Sequence, residues 1–375
     1  MNALDLTQQL VRYESTSCLS NAAVSDHIES VLKQLDFEVE RVEYDAPAGV
    51  RKVNLVARKG SGLGGLAYFC HSDTVPADTW KFKEHGPYTP TLVQDRLYGR
   101  GSCDMKGSLS CMLAAAGRVS ASDLKQPLYF TCTADEEVGY GGALEVAKRS
   151  QLFREMVAHQ SKAIIGEPTE LEVVYAHKGT YGFKATSRGK AAHSSTNFGL
   201  NANLAMIPFL AEMKSIHDEL QSDPKWQDPE FDPPTLNWNI GINDHTRAVN
   251  ITAPQSVCTV YFRPMPGTDS EALLERARKA AEKCGLEFEV NVKGPAVYVD
   301  PKSEFVQQTL KLAGKEKLHT VAYGTDGVMF TELKNMVILG PGSILQAHTY
   351  DEFIALDQLE KGTSLYHAMI REICS

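Results

Sequence analysis

Seven residues of this 375-residue chain carry acid or imidazole chemistry at the ends of apolar runs. His71 and Asp73 follow LAYFC, Asp104 lies in YGRGSCDMKGSL, and Glu136 and Glu137 lie in TADEEVGYGGA. Glu167 closes AIIGEP, and His348 lies in the loop after MVILG. The runs read as buried strands, and in α/β sheets ligands bind at the carboxyl ends of strands. Two residues apart in extended chain, His71 and Asp73 share a face. The imidazole can then bind a metal while the carboxylate accepts its other N–H; a surface histidine beside a surface aspartate is the plain alternative. Asp104, between glycines and a helix, can cap that helix or bind a cation. Adjacent strand residues face opposite ways, so joint use of Glu136 and Glu137 requires a turn. Glu167 alone is a weak signal, since a helix N-terminus would also favour it.

Charge balance joins the set. Two divalent cations bring four positive charges, and Asp104, Glu137 and Glu167 as ligands bring three negative ones. His71 and His348 bind neutral, so one hydroxide completes a balanced two-metal hydrolytic site, with Glu136 left as general base. Mixed imidazole and carboxylate donors suit zinc, with cobalt or manganese as alternatives. Other chemistries lack their motifs. GRGSCDMKG has Asp104 at the third glycine position of a dinucleotide fingerprint and reverses the Lys-Gly order of a phosphate loop. No GxSxG elbow and no HExxH helix occur. Cys103 beside Asp104 is expected as a buried thiol, because neighbours in extended chain point apart.

The elements that must position these residues alternate. Helices are expected over 4–13, 21–35, 105–120 and 141–151, with strands over 37–44, 53–59, 66–70, 127–134 and 163–168. This predicts an α/β fold with a mainly parallel sheet flanked by helices. Near residue 178 the pattern changes to an α+β module of four strands and two helices. Its first helix, about 201–220, contains Pro208, which should kink it. Thr268 and Glu271 predict a capping box for a second helix ending at Gly285. Alternation resumes near 300, with helices over 303–314, 326–333 and 356–373 and strands over 318–322 and 336–340. The expected organisation is therefore 1–177 plus 295–375 as the catalytic metal-binding domain, interrupted by an inserted module at 178–294.

Composition narrows the function classes. The charge of −9 at neutral pH argues against nucleic acid as a partner, and 43% hydrophobic with 23% charged residues is an ordinary globular balance. No apolar run is long enough to span a membrane, and MNALDLTQQLVRYES does not read as a secretory signal. Eight scattered cysteines without CxxC spacing fit a reducing cytoplasm better than a disulfide framework.

HSDTVP, YGRGSCDMKG, TADEEVG, IIGEPT and GPGSILQAHTYDEF, in this order, resemble the zinc aminoacylase/carboxypeptidase family. The resemblance implies a di-zinc amidohydrolase acting on a small N-acyl amino acid. It implies N-acetylornithine deacetylation in arginine biosynthesis as the reaction, with succinyl-diaminopimelate desuccinylation or dipeptidase/carboxypeptidase activity as alternatives. It further implies that His71, Asp104 and Glu167 hold one metal and Asp104, Glu137 and His348 the other. Asp73 would orient His71, and Glu136 would activate water. The inserted module would be a lid and homodimerisation domain, in which His193 of KAAHSS polarises the scissile carbonyl from the partner subunit. Arg263 of FRPMPG would bind a substrate carboxylate, with Asn250 and Lys178 as further pocket residues. Tyr261 departs from the deacetylase pattern, as does GTDG (324–327), a stretch that contributes to the substrate pocket.

Overall fold

The computed structural model describes residues 2–47, 49–246 and 248–375. The chain forms two compact units, one of Met1–Ala176, Val299–His319 and Thr325–Ser375, the other of His177–Tyr298 and Thr320–Gly324.

In the first unit the sheet runs Glu38–Ala46, Val50–Lys59, Leu128–Thr133, Leu66–His71, Lys162–Ile165, Met336–Ile338, Val173–His177. The four strands from Leu128–Thr133 to Met336–Ile338 are parallel, and antiparallel strands flank them. Every residue of Leu66–His71 and Leu128–Thr133 is buried, which is why both read as unbroken apolar runs. Phe69 packs against the rings of Phe153 and Phe330. The Tyr68 hydroxyl bonds Ser108 at 2.7 Å, and Ser108 bonds Tyr366 at 2.9 Å. This ties the sheet to helices Gly107–Ala116 and Leu356–Cys374. Because the central strands are parallel, His71, Thr133, Ile165 and Ile338 end on one edge, and the segments that follow them meet there. The architecture is α/β with a mainly parallel central sheet, as the alternation predicts.

Several local expectations change. The helix expected over 105–120 is Gly107–Ala116, because Ser102–Lys106 forms a wider π-type turn in which Asp104 leaves helical geometry. Asp104 is therefore no helix cap. The helix expected over 141–151 ends at Arg149, and Ser150 starts a second helix, Gln151–Ala158, by accepting the Phe153 N–H at 3.0 Å. The helix expected over 326–333 is one 3₁₀ turn, Asp326–Met329. A small antiparallel sheet, Thr91–Val93, Arg96–Tyr98 and Phe353–Ala355, was not expected.

The second unit is a four-stranded antiparallel sheet ordered Asn237–Asn243, Gln255–Arg263, Thr180–Arg188, Glu287–Gly294, with helices Ala202–Ser222 and Ser270–Lys283. Ser256, Cys258, Val260 and Phe262 are buried while Thr259 and Tyr261 are exposed, the period of a sheet covered on one face. Helix Ala202–Ser222 continues through Pro208. The second helix is capped by Asp269, one residue after the expected Thr268, and its carboxylate accepts the Ala272 N–H at 3.0 Å. A carboxylate at that end also gains from the helix dipole. No described helix is long and apolar enough to cross a membrane.

Candidate metal centre

His71 ends its strand, and the chain bends there. The rule that alternate residues share a face therefore lapses at Asp73. The main-chain carbonyl of Asp73, 3.0 Å from His71 Nδ1, accepts its N–H, while the Asp73 carboxylate lies 3.7 Å away. A carbonyl can only accept, so Nδ1 carries a proton, and Nε2 is the ring nitrogen that faces Asp104. The nearer contact on His71 Nδ1 thus comes from the Asp73 main chain, with the carboxylate beside it. That carboxylate instead accepts the Ser17 hydroxyl at 2.7 Å and the N–H groups of Glu136 at 3.2 Å and Glu137 at 3.3 Å.

The turn that both glutamates require is present. Asp135 has φ +58 and its carbonyl accepts the Tyr140 N–H at 2.8 Å. Below the turn, the Asp135 carboxylate takes the buried Lys52 ammonium at 2.6 Å and the Tyr44 hydroxyl at 2.6 Å. The turn is thus held from above by Asp73 and from below by Lys52 and Tyr44.

Asp104 stands at the middle of the donor set. Its Oδ1 lies 3.2 Å from His71 Nε2, which lies 3.9 Å from Glu167 Oε1. Its Oδ2 lies 3.4 Å from His348 Nε2, which lies 2.8 Å from Glu137 Oε2. One carboxylate therefore faces two separate imidazole–glutamate pairs, one through each oxygen. Donor atoms of His71, Asp104 and Glu137 all lie within 4.8 Å of one another. His71, Asp104 and Glu167 are buried, whereas the His348 side chain is 56% exposed on a left-handed backbone at φ +63.

The electrostatics show what such a cluster lacks. Burial pushes the carboxyls of Glu136 and Glu167 well above the ordinary range, and neighbouring carboxylates add to it; Glu137 is raised for the same reasons. Burial pulls His71 down, but its bond to Asp104 and the surrounding acids push it up by more. Bonds to Asp104 and Glu137 raise His348 to about 10. Burial opposes ionisation of Asp104 too, yet its two imidazole partners hold it low. Crowded carboxyls raised by burial, set beside two imidazoles, are a donor set that fits a divalent metal.

Sequence reasoning missed two acids. Asp326, within the stretch expected to shape the substrate pocket, is buried beneath the strands and accepts the Thr133 hydroxyl; burial raises its carboxyl to about 7. Its Oδ1 has no hydrogen-bond partner among the described residues. Glu352, inside a motif singled out for its histidine, binds the Asp104 loop. Cys103 is a buried thiol whose Sγ lies 3.3 Å from the Ser343 carbonyl.

The remaining residues lie in the second unit. His193 is exposed, and its Nδ1 accepts the Ser195 N–H at 3.3 Å and contacts the Ser195 hydroxyl at 2.7 Å. Arg263 donates to Thr180 Oγ1 at 2.7 Å, and its guanidinium lies 5.0 Å from the Tyr261 ring centre. Asn250 is exposed and its carbonyl accepts the Ser194 N–H at 2.9 Å. Lys178 departs from its expected pocket role. Its side chain is buried, and the ammonium donates to the carbonyls of Pro233 and Thr235, both at 2.7 Å. Burial, with Arg263 nearby, lowers it to about 8. With Asn237 Oδ1 at 3.5 Å as a third partner, the ammonium braces the 233–237 segment.

Acetylornithine deacetylase of Myxococcus xanthus is 32% identical over 98% of this chain and 96% of its own length. Acetylornithine deacetylase of Proteus mirabilis is 31% identical over 99% and 96%. Among solved structures, an M20 family metallo-carboxypeptidase from Sulfolobus solfataricus superposes with a TM-score of 0.77 over 99% of each chain, at 16% identity. Residues 67–372, a span holding all seven acids and imidazoles of the edge, match Peptidase family M20/M25/M40. The chain belongs to that family, whose members are metal-dependent hydrolases of amide bonds.

Proposed function

We propose that this amide hydrolase removes the acyl group from an N-acyl amino acid, with N-acetylornithine as its substrate and arginine biosynthesis as its setting. The observation that carries the reading is Asp104, one oxygen toward His71 and the other toward His348. Relatives named acetylornithine deacetylase, matched over nearly the full length, support the substrate. His71, Asp104 and Glu167 would hold one cation, and Asp104, Glu137 and His348 the other. Zinc suits the mixed donors, with cobalt or manganese as substitutes. Two such cations supply Lewis-acid polarisation of the amide carbonyl and lower the pKa of water.

The protein's own groups supply the rest. Glu136, held in its turn by Asp73, takes the proton of the attacking water and passes it to the departing amine. A carboxyl raised by burial holds a proton long enough to deliver it. On His193 the Ser195 N–H occupies Nδ1, so the neutral ring carries its proton on Nε2. That N–H is a donor for the carbonyl oxygen as charge develops on it. Arg263, steadied by Thr180 and Tyr261, offers a planar fork for the substrate carboxylate.

A homodimer through the second unit completes the reading. Leu204 is 67%, Ile207 59% and Ile242 63% exposed, on the helix and the edge strand that Asn203 ties to Asp244 at 3.1 Å. Such a patch beside an unpaired strand edge suits a second copy. In such a dimer His193 would act at the partner's site. Eight free cysteines, six of them buried, support a cytoplasmic location.

Three outcomes are expected. In a panel of N-acetylornithine, N-succinyl-diaminopimelate and dipeptides with the zinc enzyme, N-acetylornithine has the highest kcat/KM; a dipeptide or the succinyl substrate ranking first overturns the assignment. Glu136→Ala keeps two zinc ions by elemental analysis and loses about 10²–10⁴-fold in kcat; near-native turnover refutes the base. Leu204→Glu with Ile207→Glu sediments as a monomer and loses turnover; a monomeric native enzyme contradicts the dimer.

A further inference from the structure

We infer that Glu352 is a positioning residue of the metal centre, whose buried carboxylate locks the Asp104 loop to the segment carrying His348. Glu352 is 1% exposed. Its Oε1 accepts the N–H of Cys103 at 2.8 Å and of Asp104 at 3.0 Å. Its Oε2 accepts the N–H of Gly101 at 2.9 Å and Nη1 of the buried Arg100 at 2.8 Å. A carboxylate has about four acceptor positions, and all are used. Three of the four donors are main-chain groups of one loop, which Gly101 opens at φ +81, where a side chain would collide with Thr74 and Lys106.

The lock joins places far apart in the chain. The Glu352 carbonyl accepts the Gly99 N–H at 3.1 Å, and Phe353–Ala355 pairs with Arg96–Tyr98. Four residues before Glu352 stands His348, whose Nε2 faces Asp104 Oδ2. Asp104 is thus bound through its main-chain N–H by the same short segment that carries its imidazole neighbour. The carboxylate fixes two donors relative to each other without contacting a metal. Removing such support costs about 10–100-fold in metal affinity.

This inference rests on the two-metal reading, and one titration separates the two. Metal-free full-length protein is titrated with cobalt(II), followed by calorimetry and the visible cobalt spectrum. His348→Ala identifies the equivalent that depends on His348. Glu352→Gln keeps the shape, but its amide nitrogen turns a donor toward donors. It is expected to weaken that same equivalent about 10–100-fold and the other one less, with metal-free melting close to native. Arg100→Gln leaves the three main-chain bonds and is expected to show the same preference with a smaller loss; it decides the matter should Glu352→Gln fail to fold. Equal loss at both equivalents, or none, overturns the positioning role. A native protein that binds fewer than two cobalt ions refutes the two-metal reading itself.

Discussion

Burial makes negative charge expensive, and this protein gathers several acids where water is scarce. Asp104 and Glu167 are buried, the Glu137 side chain is 6% exposed, and Glu136 stands beside them. Two like charges about 4 Å apart repel by roughly 4 kcal/mol at the effective dielectric of a protein. A surface ion pair contributes only about 0–1 kcal/mol, so peripheral contacts cannot offset such crowding. Protons or cations must. The rest of the first unit can be understood as the scaffold that makes the crowding persist.

That scaffold works through backbone as much as side chains. The parallel strands deliver four chain segments to one edge. The Asp73 carboxylate fixes the two glutamates through their N–H groups, and Glu352 fixes Asp104 through its own. The Asp73 carbonyl sets the His71 proton. Each of these supporting groups lies one layer behind a donor atom. Backbone attachment leaves the carboxylate oxygens of Asp104, Glu137 and Glu167 directed at imidazoles and at one another.

Much of this was legible in the sequence. Leu66–His71 and Leu128–Thr133 announce themselves because strands buried on both faces lose alternation and become apolar throughout. His71, Asp104, Glu137, Glu167 and His348 stand out because each follows such a run or opens a helix. Glu352 did not stand out. Its partners lie about 250 residues earlier in the chain, and three of its four acceptor contacts are to main chain, which leaves no local spacing. The sheet joining Tyr98 to Phe353 is hidden for the same reason. Asp73 lies two residues past the end of its strand, where alternation no longer sets the face. Lys178 gives no such signal, because a buried lysine satisfied by carbonyls has the same letter as one that binds substrate.

On the two-metal reading, protons and cations compete for the same imidazoles and carboxylates. The acids around them push His71 and His348 above the ordinary imidazole range, so an incoming cation would compete with protons for the ring nitrogens. Raising the pH weakens that competition, so cation affinity is expected to rise with pH. The direct measurement is calorimetric titration of the metal-free protein with zinc, in buffers of different ionisation enthalpy, over about pH 6 to 8. Proton release on binding and affinity that strengthens with pH are expected. Zinc binding that releases no protons and is indifferent to pH would contradict that competition.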